Sequence, residues 1–180
     1  MPKTQAPSKA AWERPTAFAV GNRRFAIESG RPKIGICQLY ISPEHNFFGH
    51  RELPPGENPL IEQAELCCVA GRGDRFFDYK ENYKGQISFF SSQVFAEVCH
   101  RLGVAGKPPG VTRRNVITAT VDLNSLVGRE FEIPGVRFSG TAECCPCYWM
   151  NRAIAPGAEK LLQGQGGLGA RILSDGILRV

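Results

Sequence analysis

Three cysteines and a proline occupy four consecutive positions of this sequence. The stretch from Gly140 to Met150 reads Gly-Thr-Ala-Glu-Cys-Cys-Pro-Cys-Tyr-Trp-Met and holds three of the chain's seven cysteines. Pro146 fixes its own φ and biases Cys145 toward extended geometry, so the turn is stiff and Cys147 is held in one direction. A stiff loop suits a ligand or an attacking thiolate. Three chemistries fit it: a thiolate bonded to a soft metal, a Cys-x-x-Cys dithiol cycling through a disulfide, or half of a zinc site. The bland alternative is that the cysteines only fill space, as small buried residues often do.

At 180 residues the chain is long enough for one domain with a sizeable core and short for two. The longest apolar runs, Ile34 to Ile41 and Val116 to Val121, fall far short of the roughly 20 residues that span a bilayer, so no membrane segment is expected. The N-terminus carries no continuous apolar stretch of the secretory kind, and the cysteine count is odd. Both point to a reducing compartment, the cytoplasm. The formal charge of +5 sits in the leader: residues 1 to 33 hold seven Lys/Arg against two Asp/Glu, and the remainder is balanced. A neutral body argues against a phosphate-tracking surface, so no nucleic-acid partner is expected. Residues 1–32 read as a poorly ordered basic arm and 33–180 as the domain.

From Lys33 the pattern becomes a series of short β-like runs. Lys33 to Ser42 reads as a first strand and Glu44 to Pro59 as a long irregular loop. His45 and His50 lie in that loop, without the spacing of a metal site. Ile61 to Ala70 alternates as a strand and leads into Gly71-Arg72-Gly73-Asp74-Arg75, where glycines admit close backbone approach and arginines supply forked donors for phosphate or carboxylate. The same residues also suit a glycine turn with a surface ion pair. Phe76 to Phe90, aromatic with interleaved lysines, reads as a packed strand face. Ser91 or Ser92 caps a helix in which Val94, Phe95, Val98 and Leu102 recur at helical spacing, with Gly103 ending it. Cys99 and His100 adjoin within it but point different ways.

Thr112 to Thr118 begins another strand, with Arg113 and Arg114 at its mouth. Asp122 to Gly128 makes a short connection, and Glu130 to Ile133, Pro-Gly and Val136 to Ser139 form a hairpin that delivers the chain to the cysteines. Pro156 to Gln163 fits a short helix. Gly164-Gln-Gly-Gly-Leu-Gly lacks the strand before and helix after that a nucleotide loop needs. The final Ala170 to Val180 reads as a hairpin around Asp175-Gly176. Many short strands, two short helices and no βαβ alternation favour a mainly β fold, a barrel or a strongly bent sheet.

Several ordered motifs together resemble one family. Gly73 to Arg75, the Arg-Arg-Asn-Val-Ile-Thr strand at 113 to 118 with Val-Asp-Leu-Asn-Ser-Leu-Val-Gly to 128, Pro-Cys-Tyr-Trp-Met at 146 to 150 and Gly-Gly-Leu-Gly-Ala-Arg-Ile-Leu near the end are similar to those of MOSC domains. This is the module named for the C-terminal part of molybdenum cofactor sulfurase, found also as stand-alone bacterial proteins. The resemblance implies a β-barrel with small helices that binds the molybdenum cofactor, a metal held by a phosphorylated pterin dithiolene. It also implies reduction of N-hydroxylated small-molecule substrates with an external electron-donor protein.

By the same resemblance Cys147 is the thiolate on molybdenum and the catalytic residue, in agreement with the stiff turn read from the residues. Arg72, Arg75, Arg113, Arg114 and Asn115 surround the pterin and its phosphate. Asp74 holds an arginine or the pterin, or else stabilises its own turn. The chain departs from the family at Cys145, where a non-cysteine is more common. Two other readings stand beside the reductase. One is a cofactor carrier or sulfur-transfer protein in which Cys147 holds cofactor or a persulfide without turnover. The other is a Cys-x-Pro-Cys dithiol oxidoreductase, for which the strands before the motif are the wrong setting.

Overall fold

The structure, a computed structural model, describes residues 34–42, 61–67, 83–119 and 121–180. The basic arm, the two loop histidines and the Gly71 to Arg75 turn, with Arg72, Asp74 and Arg75, lie outside these residues. Nine short strands are described: β1 (Ile36–Ile41), β2 (Ile61–Gln63), β3 (Glu65–Cys67), β4 (Ile87–Ser91), β5 (Val116–Thr118), β6 (Glu130–Ile133), β7 (Val136–Glu143), β8 (Leu168–Ile172) and β9 (Ile177–Arg179). Three helices accompany them: α1 (Ser92–Arg101), α2 (Trp149–Ala153) and α3 (Ala158–Leu161). Two single turns of 3-10 helix, Pro109–Thr112 and Leu123–Leu126, flank β5.

The fold is mainly β. Seven strands form one mixed sheet in the order β2-β1-β5-β4-β8-β7-β6, and β3 pairs with β9 in a separate two-stranded sheet. The barrel expected from the sequence is not closed among the described residues, because β2 and β6 stand as edges of the large sheet. A single residue, Ala64, separates β2 from β3, and there the chain leaves one sheet for the other. The stretch read as one strand from Ile61 is thus two.

Two further expectations are corrected. First, β4 and β5 pair in parallel with α1 between them, which is a βαβ unit. It was hidden in the sequence because β5 is only three residues long and the crossover includes a Pro-Pro-Gly segment. Second, the chain around Asp175-Gly176 is not a hairpin. Both sides of β8 are already taken, by β4 and β7, so β9 turns away and pairs with β3, matching Leu66 with Leu178.

Helix α1 forms as its sequence dictates. The Ser91 hydroxyl accepts from the Val94 N–H (3.4 Å), Phe95 and Val98 face inward, and Gly103 follows with φ +65°. Arg101 in the last turn complements the helix dipole.

The central strands are buried on both faces, so consecutive residues enter different cores. Leu39, Phe89 and Val116 enter one core with Phe131, Phe138 and Leu168. Their neighbours Tyr40, Phe90 and Ile117 enter a second, formed with α1, α2 and α3 through Phe95, Val98, Met150, Ile154 and Leu162. Phe89 meets Phe131 and Phe138 edge-on, with centroids 5.4 and 5.3 Å away, a favourable aromatic geometry. Among the described residues no helix is long and apolar enough to cross a membrane.

At one point two backbones touch. A Cβ on Gly140 of β7 would stand 2.2 Å from the Leu126 carbonyl oxygen, where Gly128 N–H donates to Gly140 O (2.9 Å). Gly140→Ala is therefore expected to lower stability by about 2 kcal/mol or more, toward the upper part of the overpacking range, as read from urea denaturation. An unchanged midpoint and slope would contradict that close contact.

Candidate active site

The three cysteines of the stiff turn form a loop between β7 and α2, and all three line one open cavity of about 300 Å³. That volume is at the lower end of the ~300–1,000 Å³ usual for small-molecule sites. The opposite walls come from Ser42 after β1, Tyr83 and Gly85 before β4, Ser88 in β4, and Thr112 to Asn115 before β5. Trp149 and Met150 of α2 complete it.

The loop is anchored at both ends. At its start, Cys144 N–H donates to Gly167 O (2.8 Å), and Gly166 N–H donates to Oε1 of Glu143 (2.9 Å). At its far end, Met150 N–H donates to Cys147 O (2.9 Å) as α2 begins, and the Trp149 indole donates to Val111 O (3.2 Å). Cys145 is exposed, and Cys147 is half-buried on the cavity wall. Cys144 keeps some exposed surface as a residue, but its thiol is desolvated. Burial pushes that thiol above its ordinary pKa; the Arg114 guanidinium opposes the shift, while Cys145 and Glu143 reinforce it.

Arg113 has φ +57°, the left-handed conformation, and is the one non-glycine residue with positive φ among those described. It caps the Pro109–Thr112 turn, its N–H donating to Gly110 O (2.9 Å). The reversal sends the two adjacent arginines to different partners. Arg113 donates through Nη2 to the Ser42 hydroxyl. Arg114 turns to main-chain oxygens: Nε and Nη2 to Gly166 O (3.3 and 3.2 Å), Nη2 to Cys144 O (3.3 Å) and Nη1 to Thr112 O (3.2 Å).

Asn115 knits three strands at the cavity floor. Its Oδ1 accepts from the Ser88 N–H and hydroxyl (2.9 and 2.8 Å), and its Nδ2 donates to Tyr40 O (3.3 Å). Of the residues singled out in the sequence, Arg113, Arg114, Asn115 and Cys147 therefore share this cavity. Cys99 and His100 are not part of it, and no group of three or more His, Cys, Asp or Glu suited to a metal ion occurs among the described residues. Ser42, Ser88 and Thr112 were missed. Trp149 stands two residues beyond Cys147 and was legible as part of the same turn, whereas the serines carry no local signal.

The model of the MOSC domain family matches residues 74–180. The chain belongs to the MOSC domain family. Its fold is similar to the YuaD protein from Bacillus subtilis, with a TM-score of 0.64 and 19% identity over 81% of this chain and 91% of that one. It is also similar to YiiM from Geobacillus stearothermophilus, with a TM-score of 0.56 and 14% identity over 81% and 71%. No curated protein matches the sequence. At these identities the likeness to solved structures is one of fold. In this MOSC domain the Pro-Cys-Tyr-Trp turn, the Arg-Arg-Asn segment and the Gly-Gly-Leu-Gly segment, distant in sequence, meet around one cavity wall.

A short iodoacetamide pulse read by residue-resolved mass spectrometry should label the exposed Cys145 before Cys144 at neutral pH. The sign follows from the raised Cys144 pKa: the reactive thiolate grows in only as pH rises beyond the ordinary thiol range, about 8.5. Equal labelling of Cys144 and Cys145 at neutral pH would contradict the burial of its thiol.

Proposed function

We propose that this MOSC protein binds the molybdenum cofactor through Cys147 and reduces N-hydroxylated compounds with electrons from an external donor protein. The observation that carries the reading is a half-buried thiol on a proline-stiffened loop, sharing a cavity with two guanidiniums, several hydroxyls and two aromatic rings. That donor set fits the group. A thiolate is a soft ligand suited to such a metal, and a guanidinium with hydroxyls suits a phosphate. Tyr83 and Trp149 offer aromatic faces for a flat ring system.

Cys147 would hold the metal, and Arg113 with the Ser42 hydroxyl would hold the phosphate end. Asp74 and Arg75, within the span matched by the family model, and Arg72 beside them belong to the pterin side of the same reading. When bound, the cofactor supplies two-electron redox chemistry. The chain's own residues do the rest. Pro146 and the anchors at both ends of the loop keep Cys147 facing the cavity, and the Asn115–Ser88 pair keeps the opposite wall in place. Net reduction of an N-hydroxylated base cleaves the N–O bond, consumes two electrons and two protons and releases water. Side chains on the cavity wall that carry an exchangeable proton include the Cys144 and Cys145 thiols and the hydroxyls of Ser42, Tyr83, Ser88 and Thr112.

The test is metal and pterin analysis of protein purified from a molybdate-replete host, followed by an assay with an N-hydroxylated purine and a reduced viologen dye. Cys147→Ser should abolish bound metal, while Cys144→Ser keeps most of it. Metal contents ranked the other way would overturn the ligand assignment. Full cofactor without turnover of any N-hydroxylated compound would favour a carrier or sulfur-transfer role over a reductase.

A further inference from the structure

We propose that Arg114 is the positioning residue of the thiol loop, holding main-chain oxygens of three segments so that the cysteines face the cavity, and that it is not a ligand for an anion in that cavity. The bearing on molybdenum rests on the reading of Cys147 given above; the positioning itself does not.

The geometry is specific to arginine. Four hydrogen bonds leave its three nitrogens and end on Thr112 O, Cys144 O and Gly166 O. A guanidinium has five N–H donors in a rigid plane, so four of the five already have main-chain partners. The bonds are long, 3.2 to 3.3 Å, at or just past the end of the normal range, so the effect comes from their spread over three segments. Those segments are the 3-10 turn before β5, the first residue of the loop, and the residue that backs the loop before β8. A lysine ammonium, a point charge on a flexible stem, cannot reproduce that fork. Gly166 is where it must be. A Cβ there would stand 2.3 Å from Cys144 O and 2.9 Å from Pro146 Cδ, so the two backbones meet with no side chain between them and Arg114 clasps their edge. The left-handed turn at Arg113 is what aims Arg114 at the loop while its neighbour reaches Ser42.

Arg114 also carries charge, and charge and position predict opposite results. As a mere charge beside Cys144 it favours the thiolate, so its removal should slow alkylation there. As a clasp it keeps the loop closed, so its loss should speed alkylation.

The experiment uses full-length protein made in a host unable to synthesise molybdopterin, with iodoacetamide labelling rates resolved by residue for wild type, Arg114→Lys and Arg114→Gln. Both variants should label Cys144 about tenfold faster, equivalent to ~1.4 kcal/mol in the local opening equilibrium, and Cys147 faster as well. Cys37 and Cys99, which do not line the cavity and take no hydrogen bond from Arg114, should keep wild-type rates. Wild-type rates at Cys144 in Arg114→Lys would overturn the proposal, as would slower labelling in Arg114→Gln. A rise at all cysteines would mean global unfolding, so a second measurement is made on wild type alone. The Arg114 Nε–H resonance should exchange slowly and stay unshifted in millimolar inorganic phosphate. A phosphate-dependent shift would make Arg114 an anion ligand and overturn the proposal. Because every readout uses cofactor-free protein, absence of metal in the replete preparation would withdraw the cofactor reading and leave this one standing.

Discussion

The contact on which the site depends is the meeting of two backbones, the thiol loop after β7 and the Gly166-Gly167 segment before β8. A side chain at Gly166 would strike Cys144 O and Pro146, and one at Gly167, where φ is +103°, would stand 2.4 Å from Phe89 O. Glycine at both places lets the loop, β8 and β4 pack within hydrogen-bonding reach of one another. Cys144 N–H to Gly167 O and Gly166 N–H to Glu143 then bond across the gap. The stiffness supplied by Pro146 becomes useful only because the loop has something rigid to rest on.

The same economy explains where the polar groups lie. Consecutive residues of β1, β4 and β5 are committed to the two apolar cores, so side chains able to meet a ligand fall chiefly at strand ends and in connections. The end of β1 and the starts of β4 and β5 share one end of the sheet, where antiparallel β1–β5 and parallel β4–β5 pairing bring Ser42, Ser88 and Arg113 to Asn115 together. The loop after β7 joins them from the other side. Half-buried pairing of Ser88, Asn115 and Tyr40 O satisfies the polar groups that this junction would otherwise strand.

Local features were legible in the sequence, and remote ones were not. Helix α1 was readable because its cap, its apolar spacing and Gly103 are neighbours, and the β6–β7 hairpin because Pro134-Gly135 sits between two alternating runs. The stiff cysteine turn was likewise visible whole. The false hairpin at Asp175-Gly176 shows the limit: the dipeptide is a turn signal, but whether two strands pair is decided by which edges are already occupied, and β8 has none left. The glycine run from Gly164 lies between α3 and β8, and its purpose, close approach to cysteines some twenty residues earlier, depends on a sheet order no local pattern reveals. Arg113 and Arg114 are adjacent and chemically alike. Only the left-handed backbone at the first separates their partners.

The central claim is that this fold presents Cys147, rather than a neighbouring thiol, to a metal. X-ray absorption at the molybdenum edge tests it most directly, on Cys144→Ser/Cys145→Ser protein, in which Cys147 is the loop's remaining thiol. The account predicts a metal–sulfur shell with one sulfur beyond the two of the pterin dithiolene. A shell holding dithiolene sulfur alone would contradict it.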